Sequence, residues 1–172
     1  MDVLVVRHAI SQDKDEAQAL GVPDAERALT KDGQRRMKQV ARGLARSITN
    51  LSAVFSSPWR RAAETADLLR ARFQGLARLE SDALLPDAPP EALAEYLSGY
   101  SQSASVAVVG HEPQLSQWVS WCLVGLRDPL LQPRSILQLR KAGACLLRFD
   151  DRPGPSLGQL IWLMTPGVLR EL

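Results

Sequence analysis

Two short runs of aliphatic residues, each followed at once by a histidine, constrain the fold of this chain more than any other feature. The first run, Val3-Leu4-Val5-Val6, precedes Arg7-His8, and the second, Val106-Ala107-Val108-Val109, precedes Gly110-His111. Continuous apolar runs of this length are typical of strands in a sheet that is covered on both faces. Because open α/β sheets bind ligands at the carboxyl ends of their strands, both histidines are predicted to lie at a ligand site.

The rest of the chain alternates between strand and helix patterns. Further strands are predicted at residues 53–55, 76–80, 144–149 and 160–163. Helices are predicted after Thr30 as N-cap, at Pro58 with Ser57 as N-cap, near Pro90 and at Pro113. Turn formers at 150–155 favour a hairpin between the last two strands. The pattern predicts a three-layer α/β/α fold, a mainly parallel sheet with an antiparallel edge strand, and one domain over residues 1–172.

Composition narrows the function classes. The chain has 172 residues, is 45% apolar and carries a formal charge of +2, with its cations spread along the sequence, so we expect no nucleic-acid partner. Cys122 and Cys145 lie in apolar contexts and are predicted to be buried thiols rather than a disulfide or a metal pair. No leader segment and no apolar run of membrane-spanning length is evident, so we expect a cytoplasmic protein with no membrane contact.

A third cluster of charged residues follows another short apolar stretch. Residues 56–62 read Ser-Ser-Pro-Trp-Arg-Arg-Ala and open a predicted helix. Arg60 lies one turn before Glu64 and is predicted to pair with it, which leaves Arg61 as the better anion ligand, near a helix N-terminus that also attracts anions. Two histidines and two arginines at three strand ends therefore predict an anion site.

These residue types match the needs of phosphoryl transfer. A neutral imidazole can attack phosphorus and hold it as a covalent intermediate, and arginine forks match the charge and geometry of phosphate oxygens. His8 is thus the predicted nucleophile, and His111 is expected to donate a hydrogen bond to a phosphate oxygen, as the imidazolium once the dianion is bound. A metal site of His8, His111 and Asp13 is the rival hypothesis, which the adjacent arginine disfavours by repelling a cation.

Four ordered motifs resemble those of the histidine phosphatase superfamily. They are Arg7-His8 after the first strand, Leu29-Thr30-Lys31-Asp32-Gly33, the segment from Ser56-Ser57-Pro58 through Arg61-Ala62 to Thr65, and Gly110-His111. The short chain, Arg27-Ala28-Leu29-Thr30 and the closing residues 160–166 are similar to SixA-type phosphohistidine phosphatases. The resemblance covers nearly the whole chain and implies a phosphoglycerate-mutase-like fold.

The resemblance also implies the roles of individual residues. His8 would be the phosphorylated nucleophile, Arg7 and Arg61 would clamp the phosphoryl group, His111 would complete the pocket, and Arg27 would be an additional phosphate contact. No cofactor and no metal are implied. One departure is Ala9, which stands where the family signature usually has glycine and leaves the backbone less room.

A second departure concerns the substrate. Larger members of the superfamily carry an acid that protonates an alkoxide leaving group and long insertions over the site, and neither is evident here. Phosphoimidazole depends less on such an acid, so we expect a phosphohistidine on a histidine phosphotransfer domain or phosphocarrier to be the substrate. The alternatives are a small-molecule phosphomonoester or phosphoserine/threonine phosphatase, with Asp82, Asp87 or Glu91 as acid, and a phospho-ligand binding module without turnover. The oligomeric state is not indicated.

Overall fold

Six strands form one mixed sheet in the computed structural model, which describes residues 1–73, 75–101, 104–125 and 135–172. They are β1 (Asp2–Arg7), β2 (Ala53–Ser56), β3 (Arg78–Glu80), β4 (Ser105–Gly110), β5 (Ala144–Phe149) and β6 (Gly158–Met164). Their spatial order is β3-β2-β4-β1-β5-β6, with parallel pairing from β3 to β1 and antiparallel pairing of β5 with both neighbours. The predicted parallel sheet with an antiparallel edge is confirmed, and that edge is the β5–β6 hairpin.

Six α-helices of the described residues flank this sheet. They are α1 (Lys14–Ala19), α2 (Lys31–Ser47), α3 (Arg60–Arg70), α4 (Pro90–Ser98), α5 (Gln114–Val124) and α6 (Pro166–Glu171), with short 3-10 turns at Asp24–Glu26 and Asp82–Leu84. Thr30 caps α2 as predicted, because its hydroxyl accepts from the Gly33 N–H at 2.9 Å. None of these helices has the length and apolar character needed to cross a bilayer.

The alternation of side chains along the strands builds a core on each face of the sheet. Val3 and Val5 pack with α4 and α5, whereas Leu4 and Val6 pack with α2, α3 and α6. All four are fully buried, which is why the run is apolar at every position rather than at every second one. The predicted three-layer arrangement follows from this double coverage. Cys122 and Cys145 are free thiols within the first of these cores, as predicted.

The predicted cap of α3 is wrong. The helix begins at Arg60, three residues after Ser57, and Trp59 stands at the cap position without a side-chain hydrogen bond. Ser57 is engaged elsewhere, because its hydroxyl lies 2.9 Å from a ring nitrogen of His111. The tip of β2 therefore contributes a side chain to the sheet edge instead of starting a helix.

The strand register brings the functional segments to one edge. Arg7 at the end of β1 is opposite Gly110 at the end of β4, and the His8 N–H donates to the Gly110 carbonyl at 3.0 Å. On the other side of β4, the Ser57 N–H donates to the Val109 carbonyl at 3.0 Å. Three strand tips are thus fixed side by side by the hydrogen-bond ladder.

Candidate active site

His8 directly follows β1 and is held in one tautomer. Its ring is 6% exposed, and its Nδ1 lies 2.7 Å from the Ala9 carbonyl oxygen. A carbonyl can only accept, so Nδ1 carries the hydrogen and Nε2 keeps a lone pair. Arg61 Nε donates to that Nε2 at 3.3 Å. The nitrogen available for attack is therefore the one that faces a permanent cation.

The surroundings keep His8 neutral. Burial lowers its pKa from 6.5 to about 3; the hydrogen bond to the Ala9 carbonyl opposes this shift, and the charges of Arg61 and Arg7 add to it. At neutral pH the ring is therefore unprotonated at Nε2. A neutral imidazole is the form that can act as a nucleophile.

His111 follows β4 and has a different hydrogen-bond partner. Its ring is 1% exposed and its centroid lies 5.2 Å from that of His8. The Ser57 hydroxyl accepts from the Trp59 N–H at 3.2 Å and lies 2.9 Å from His111 Nε2. Among the described residues this nitrogen is the acceptor within reach of the hydroxyl hydrogen, so we assign that hydrogen to the contact with Nε2. The hydrogen of His111 then lies on Nδ1, which is buried and has no partner among the described residues.

His111 can donate a hydrogen bond without being charged. Burial, together with smaller contributions from the neighbouring His8 and Arg61, lowers its pKa to about 2. A buried donor without an acceptor is costly, which makes the unsatisfied Nδ1–H a natural partner for an incoming oxyanion. The imidazolium form of this donor with the dianion bound stays a prediction, and in the structure burial favours the neutral ring.

Arg7 and Arg61 provide two guanidinium groups at the same edge. Arg7 donates through Nη1 to the Leu139 carbonyl at 2.7 Å, and its buried Nε has no partner within the described residues. Arg61 is 4% exposed and donates to the carbonyl of Asp24 at 2.6 Å and to its carboxylate at 3.2 Å. Burial lowers the pKa of both groups, but arginine stays cationic near neutral pH.

Arg27 is tied into the same cluster through Asp24. Its Nε donates to the Asp24 carboxylate at 2.7 Å, and its Nη1 donates to the Gln12 carbonyl at 2.7 Å and to Ser11 Oγ at 3.2 Å. One carboxylate thus orients two arginines. Burial alone would raise the pKa of Asp24, but the hydrogen bond from Arg27 and the charge of Arg61 hold it below its usual value.

These side chains line one cavity of about 700 Å³. The five residues predicted from the sequence all contribute to its wall, namely Arg7, His8, Arg27, Arg61 and His111. Asp13 lines the cavity too, but its carboxylate accepts from Asp15 N and Glu16 N at the start of α1. Among the described residues, no three His, Cys, Asp or Glu side chains are grouped to hold a metal ion.

The acids considered from the sequence are not at this cavity. Asp82, Asp87 and Glu91 are absent from its wall, whereas Glu112 is part of it. Burial raises the pKa of Glu112, although the Ser116 hydroxyl and the charge of Arg7 oppose the rise. The sequence gives no local signal for Glu112 as a site residue, because it lies between His111 and the predicted helix start at Pro113.

Other supporting residues also escaped the sequence patterns. Thr65 accepts from the Ala9 N–H at 3.0 Å and donates to the Arg61 carbonyl at 2.6 Å, so it joins the turn after His8 to α3. Trp59 stacks on Arg61, with Cζ 4.6 Å from the ring centroid. Trp59 and Thr65 lie at the cap and within the first turns of α3, whereas Asp24 is remote in the chain and only the tertiary fold brings it to Arg61.

Comparisons with known proteins agree with this geometry. Residues 3–87 match the model of the histidine phosphatase superfamily (branch 1). The chain is 30% identical over 150 residues to the uncharacterized protein SYNPCC7002_A2622 of Picosynechococcus sp. (strain ATCC 27264 / PCC 7002 / PR-6). This alignment covers 86% of this chain and 85% of that protein. The chain therefore belongs to the histidine phosphatase superfamily, and this membership supports phosphatase activity.

Solved structures share the fold along nearly the whole chain. The structure of the protein histidine phosphatase SixA complexed with tungstate has a TM-score of 0.78 at 22% identity, over 98% of this chain and 99% of that one. The alpha-ribazole phosphatase from Shigella flexneri has a TM-score of 0.72 at 15% identity, over 96% and 97% of the two chains. At these identities the likeness establishes a phosphoglycerate-mutase-like fold, as the sequence predicted.

Proposed function

We propose that this protein is a phosphatase that works through a covalent phosphohistidine on His8 and removes the phosphoryl group from phosphohistidine on another protein. The observation that carries the proposal is the state of His8. Its Nδ1–H donates to a carbonyl, and its unprotonated Nε2 accepts a hydrogen bond from Arg61 at 3.3 Å at the cavity that Arg7 and Arg27 also line. A bound phosphoryl group would draw Arg61 to its oxygens and release the Nε2 lone pair for attack on phosphorus.

The reaction has two displacements. The lone pair of His8 Nε2 forms a bond to phosphorus while the bond from phosphorus to the substrate nitrogen breaks, and the leaving imidazole keeps that electron pair and takes a proton. Water then attacks phosphorus, the bond to Nε2 breaks, and inorganic phosphate leaves with His8 neutral again. In both steps Arg7, Arg61 and the Nδ1–H of His111 would stabilise charge on the equatorial oxygens, with Arg27 as a further contact.

Several features support a phosphohistidine substrate over a phosphoester. Phosphoimidazole leaves as a neutral ring once its other nitrogen is protonated, so it needs no strong acid from the enzyme. The acids considered from the sequence do not line the cavity. Between β3 and β4 the described residues hold only a 3-10 turn and α4, whose Leu93 and Leu97 pack into the core. Of the described residues of that segment, Pro86 lines the cavity, and so small a contribution suits a group presented on a phosphotransfer domain or phosphocarrier.

The covalent step is tested by trapping. We expect intact-mass and peptide spectra, taken after alkaline quenching of a reaction with a phosphohistidine protein, to place one phosphoryl group on His8. His8→Ala should lose both the adduct and turnover, while Arg35→Ala, which changes an exposed arginine of α2, should keep both. A wild-type protein that binds the phosphoprotein but never acquires the adduct would be a binding module instead.

The second candidate is a phosphomonoesterase on the same scaffold, and Glu112 is the observation that favours it. Its carboxyl group lies at the cavity wall with a pKa raised by burial, as an acid for an alkoxide would need. We expect Glu112→Gln to leave hydrolysis of a phosphohistidine protein within about threefold, as suits a reaction that needs no enzyme acid. If wild type prefers phosphoserine or p-nitrophenyl phosphate, and Glu112→Gln abolishes their hydrolysis, the ester assignment replaces ours.

A further inference from the structure

A small basic pocket adjoins the active-site cavity. It measures about 50 Å³ and lies where α2, α6 and the turn before β5 meet the loop after His8. Ile10 and Lys141 line both the small pocket and the large cavity, so the two spaces share a wall. We call this space the accessory pocket, and its charged lining residues are Arg36, Lys141 and Arg170.

The charge of the accessory pocket is unbalanced. Its lining contains three cations and no carboxylate. Arg36 pairs with Asp32 at 2.6 Å, but Asp32 is shared with Arg35, so this trio still carries a net positive charge. Neither Lys141 nor Arg170 forms an ion pair within the described residues. Arg36 and Lys141 are exposed, so water screens the repulsion between these cations, and together they favour an anion at the pocket.

The turn that carries Lys141 is fastened to the catalytic strand tip. The N–H of Ala142 donates to the carbonyls of Arg7 at 3.1 Å and His8 at 3.2 Å, and the Arg7 N–H donates to Gly143. Ala142 has φ = 61°, a left-handed conformation that a residue with a Cβ adopts at a cost of about 1–3 kcal/mol. This conformation fixes the Lys141 backbone between the two spaces. Lys141 is also close enough to lower the pKa of His8.

We propose that the accessory pocket binds a carboxylate of the protein substrate, from an Asp or Glu that lies near the phosphohistidine. A space of about 50 Å³ takes one small group, and arginine forks match a planar carboxylate in two parallel hydrogen bonds. Lys141 serves both spaces and couples the position of the carboxylate to that of the phosphoryl group. The pocket thus selects phosphoproteins with an acidic neighbour, and this selection rests on the proposed function.

The test uses two phosphohistidine peptides that differ only by Glu or Gln beside the phosphorylated residue. We expect wild type to favour the Glu peptide in kcat/KM by about fivefold per cation engaged, chiefly through KM, and 0.5 M salt to erase the difference. Arg170→Ala should lower the ratio by about fivefold, the share of one cation. Lys38→Ala, which removes an exposed cation of α2 outside the pocket, should keep the wild-type ratio.

Charge reversal gives the sharper arm. Arg170→Glu should reduce the preference for the Glu peptide further than Arg170→Ala does, because it adds repulsion, a result that loss of packing alone does not produce. Equal hydrolysis of both peptides by wild type and variants would overturn the proposal that the accessory pocket binds a carboxylate, and it would leave the proposed function unaffected. Hydrolysis of neither peptide would refute the proposed function itself. A further arm compares kcat/KM for 3-phosphoglycerate, which has a carboxylate, with kcat/KM for a phosphoester without one. If Arg170 changes only this ratio and not the ratio of the two peptides, the pocket binds a carboxylate of small substrates, and the proposal of a protein carboxylate is overturned.

Discussion

His8 and His111 have the same side chain, but the ring hydrogen lies on Nδ1 in both while the hydrogen-bond partners differ. The partner of each ring decides which nitrogen faces the cavity chemistry, an unprotonated Nε2 in His8 and an Nδ1–H in His111. The carbonyl of Ala9 forces a hydrogen onto Nδ1 of His8 and leaves an electron pair on Nε2. The hydroxyl of Ser57 supplies a hydrogen to Nε2 of His111 and leaves a donor on Nδ1. Two neutral rings 5.2 Å apart therefore present an unprotonated nitrogen and a ring N–H, which suit the proposed attack on phosphorus and the proposed contact with an oxyanion.

Ser57 is the residue at which this division of roles can be tested. Ser57→Ala removes the hydrogen directed to His111 Nε2, so we expect the ring to exchange tautomers and kcat to fall on the order of tenfold, the effect of about 1.4 kcal/mol. Nitrogen chemical shifts of His111 should change from one tautomer to a mixture. Ser57→Thr keeps the hydroxyl and serves as the control. A kcat unaffected in Ser57→Ala, with the tautomer unchanged, would contradict the role.

The sequence pointed to the chemistry-bearing residues but not to the residues that orient them. His8, Arg7, Arg61 and His111 stand directly after strands or at a helix start, where local patterns reach them. Asp24 was not found, because its partner Arg61 is remote in the chain and only packing joins them. Trp59 lies two residues before Arg61, but the residue order alone does not show that its ring stacks on the guanidinium group. The structure brings the predicted residues to one cavity, and their catalytic roles stay predictions until the trapping experiment is done.

Helix α2 approaches α6 so closely that one position between them has no room for a side chain. A Cβ on Gly43 would lie 1.9 Å from the Leu169 carbonyl oxygen. Helix propensity alone would make Gly43→Ala stabilising by about 1 kcal/mol, whereas the clash should cost about 1–3 kcal/mol or more, so the sign of the change identifies the dominant effect. We expect a lower Tm in thermal unfolding.

The control for that substitution is Gly99→Ala at the end of α4. Its added Cβ would meet the Tyr96 carbonyl oxygen at 3.7 Å, an ordinary contact, and its φ of −73° suits alanine. We expect Gly99→Ala to be neutral or slightly stabilising. A Gly43→Ala variant with a Tm at or above wild type would mean that α6 shifts away without loss.

At the scale of elements, apolar runs and caps predicted most of the fold. All six strands were anticipated, although β3 is shorter than the predicted residues 76–80 and begins at Arg78. The helices α1 and α6 were not predicted, because each has six residues and too few turns to display a helical period. The wrong prediction of a cap at Ser57 has a different cause. A serine before a proline fits a helix start, but the same serine can instead form a hydrogen bond with a distant histidine, and the sequence does not distinguish the two.

At the scale of the whole molecule, two buried neutral histidines make folding stability depend on pH. In the unfolded chain each binds a proton below about pH 6.5, whereas in the folded protein His8 and His111 bind one only near pH 3 and 2. Between these values the unfolded state holds more protons, so stability falls as the pH falls, with a slope of up to about 1.4 kcal/mol per pH unit for each ring.

Urea unfolding between pH 6.5 and 5, where most carboxylates stay ionised, measures this slope. His111→Gln removes one of the two titrating rings, so we expect a shallower dependence of the free energy of unfolding on pH. Lys38→Ala should keep the wild-type slope. An unchanged slope in both His111→Gln and His8→Gln would show that neither ring is held neutral by the fold.

The hydrogen bond from the His8 backbone to Gly110 has a consequence for how such a chain can evolve. It joins neighbouring strands, so the spacing of the two imidazoles does not depend on the segments that connect them. Those connecting segments can lengthen, shorten or change their surface while His8 and His111 stay in place. Descendants of this chain can thus acquire new substrate specificities through changes in the connecting segments, while the positions of the two histidines are retained.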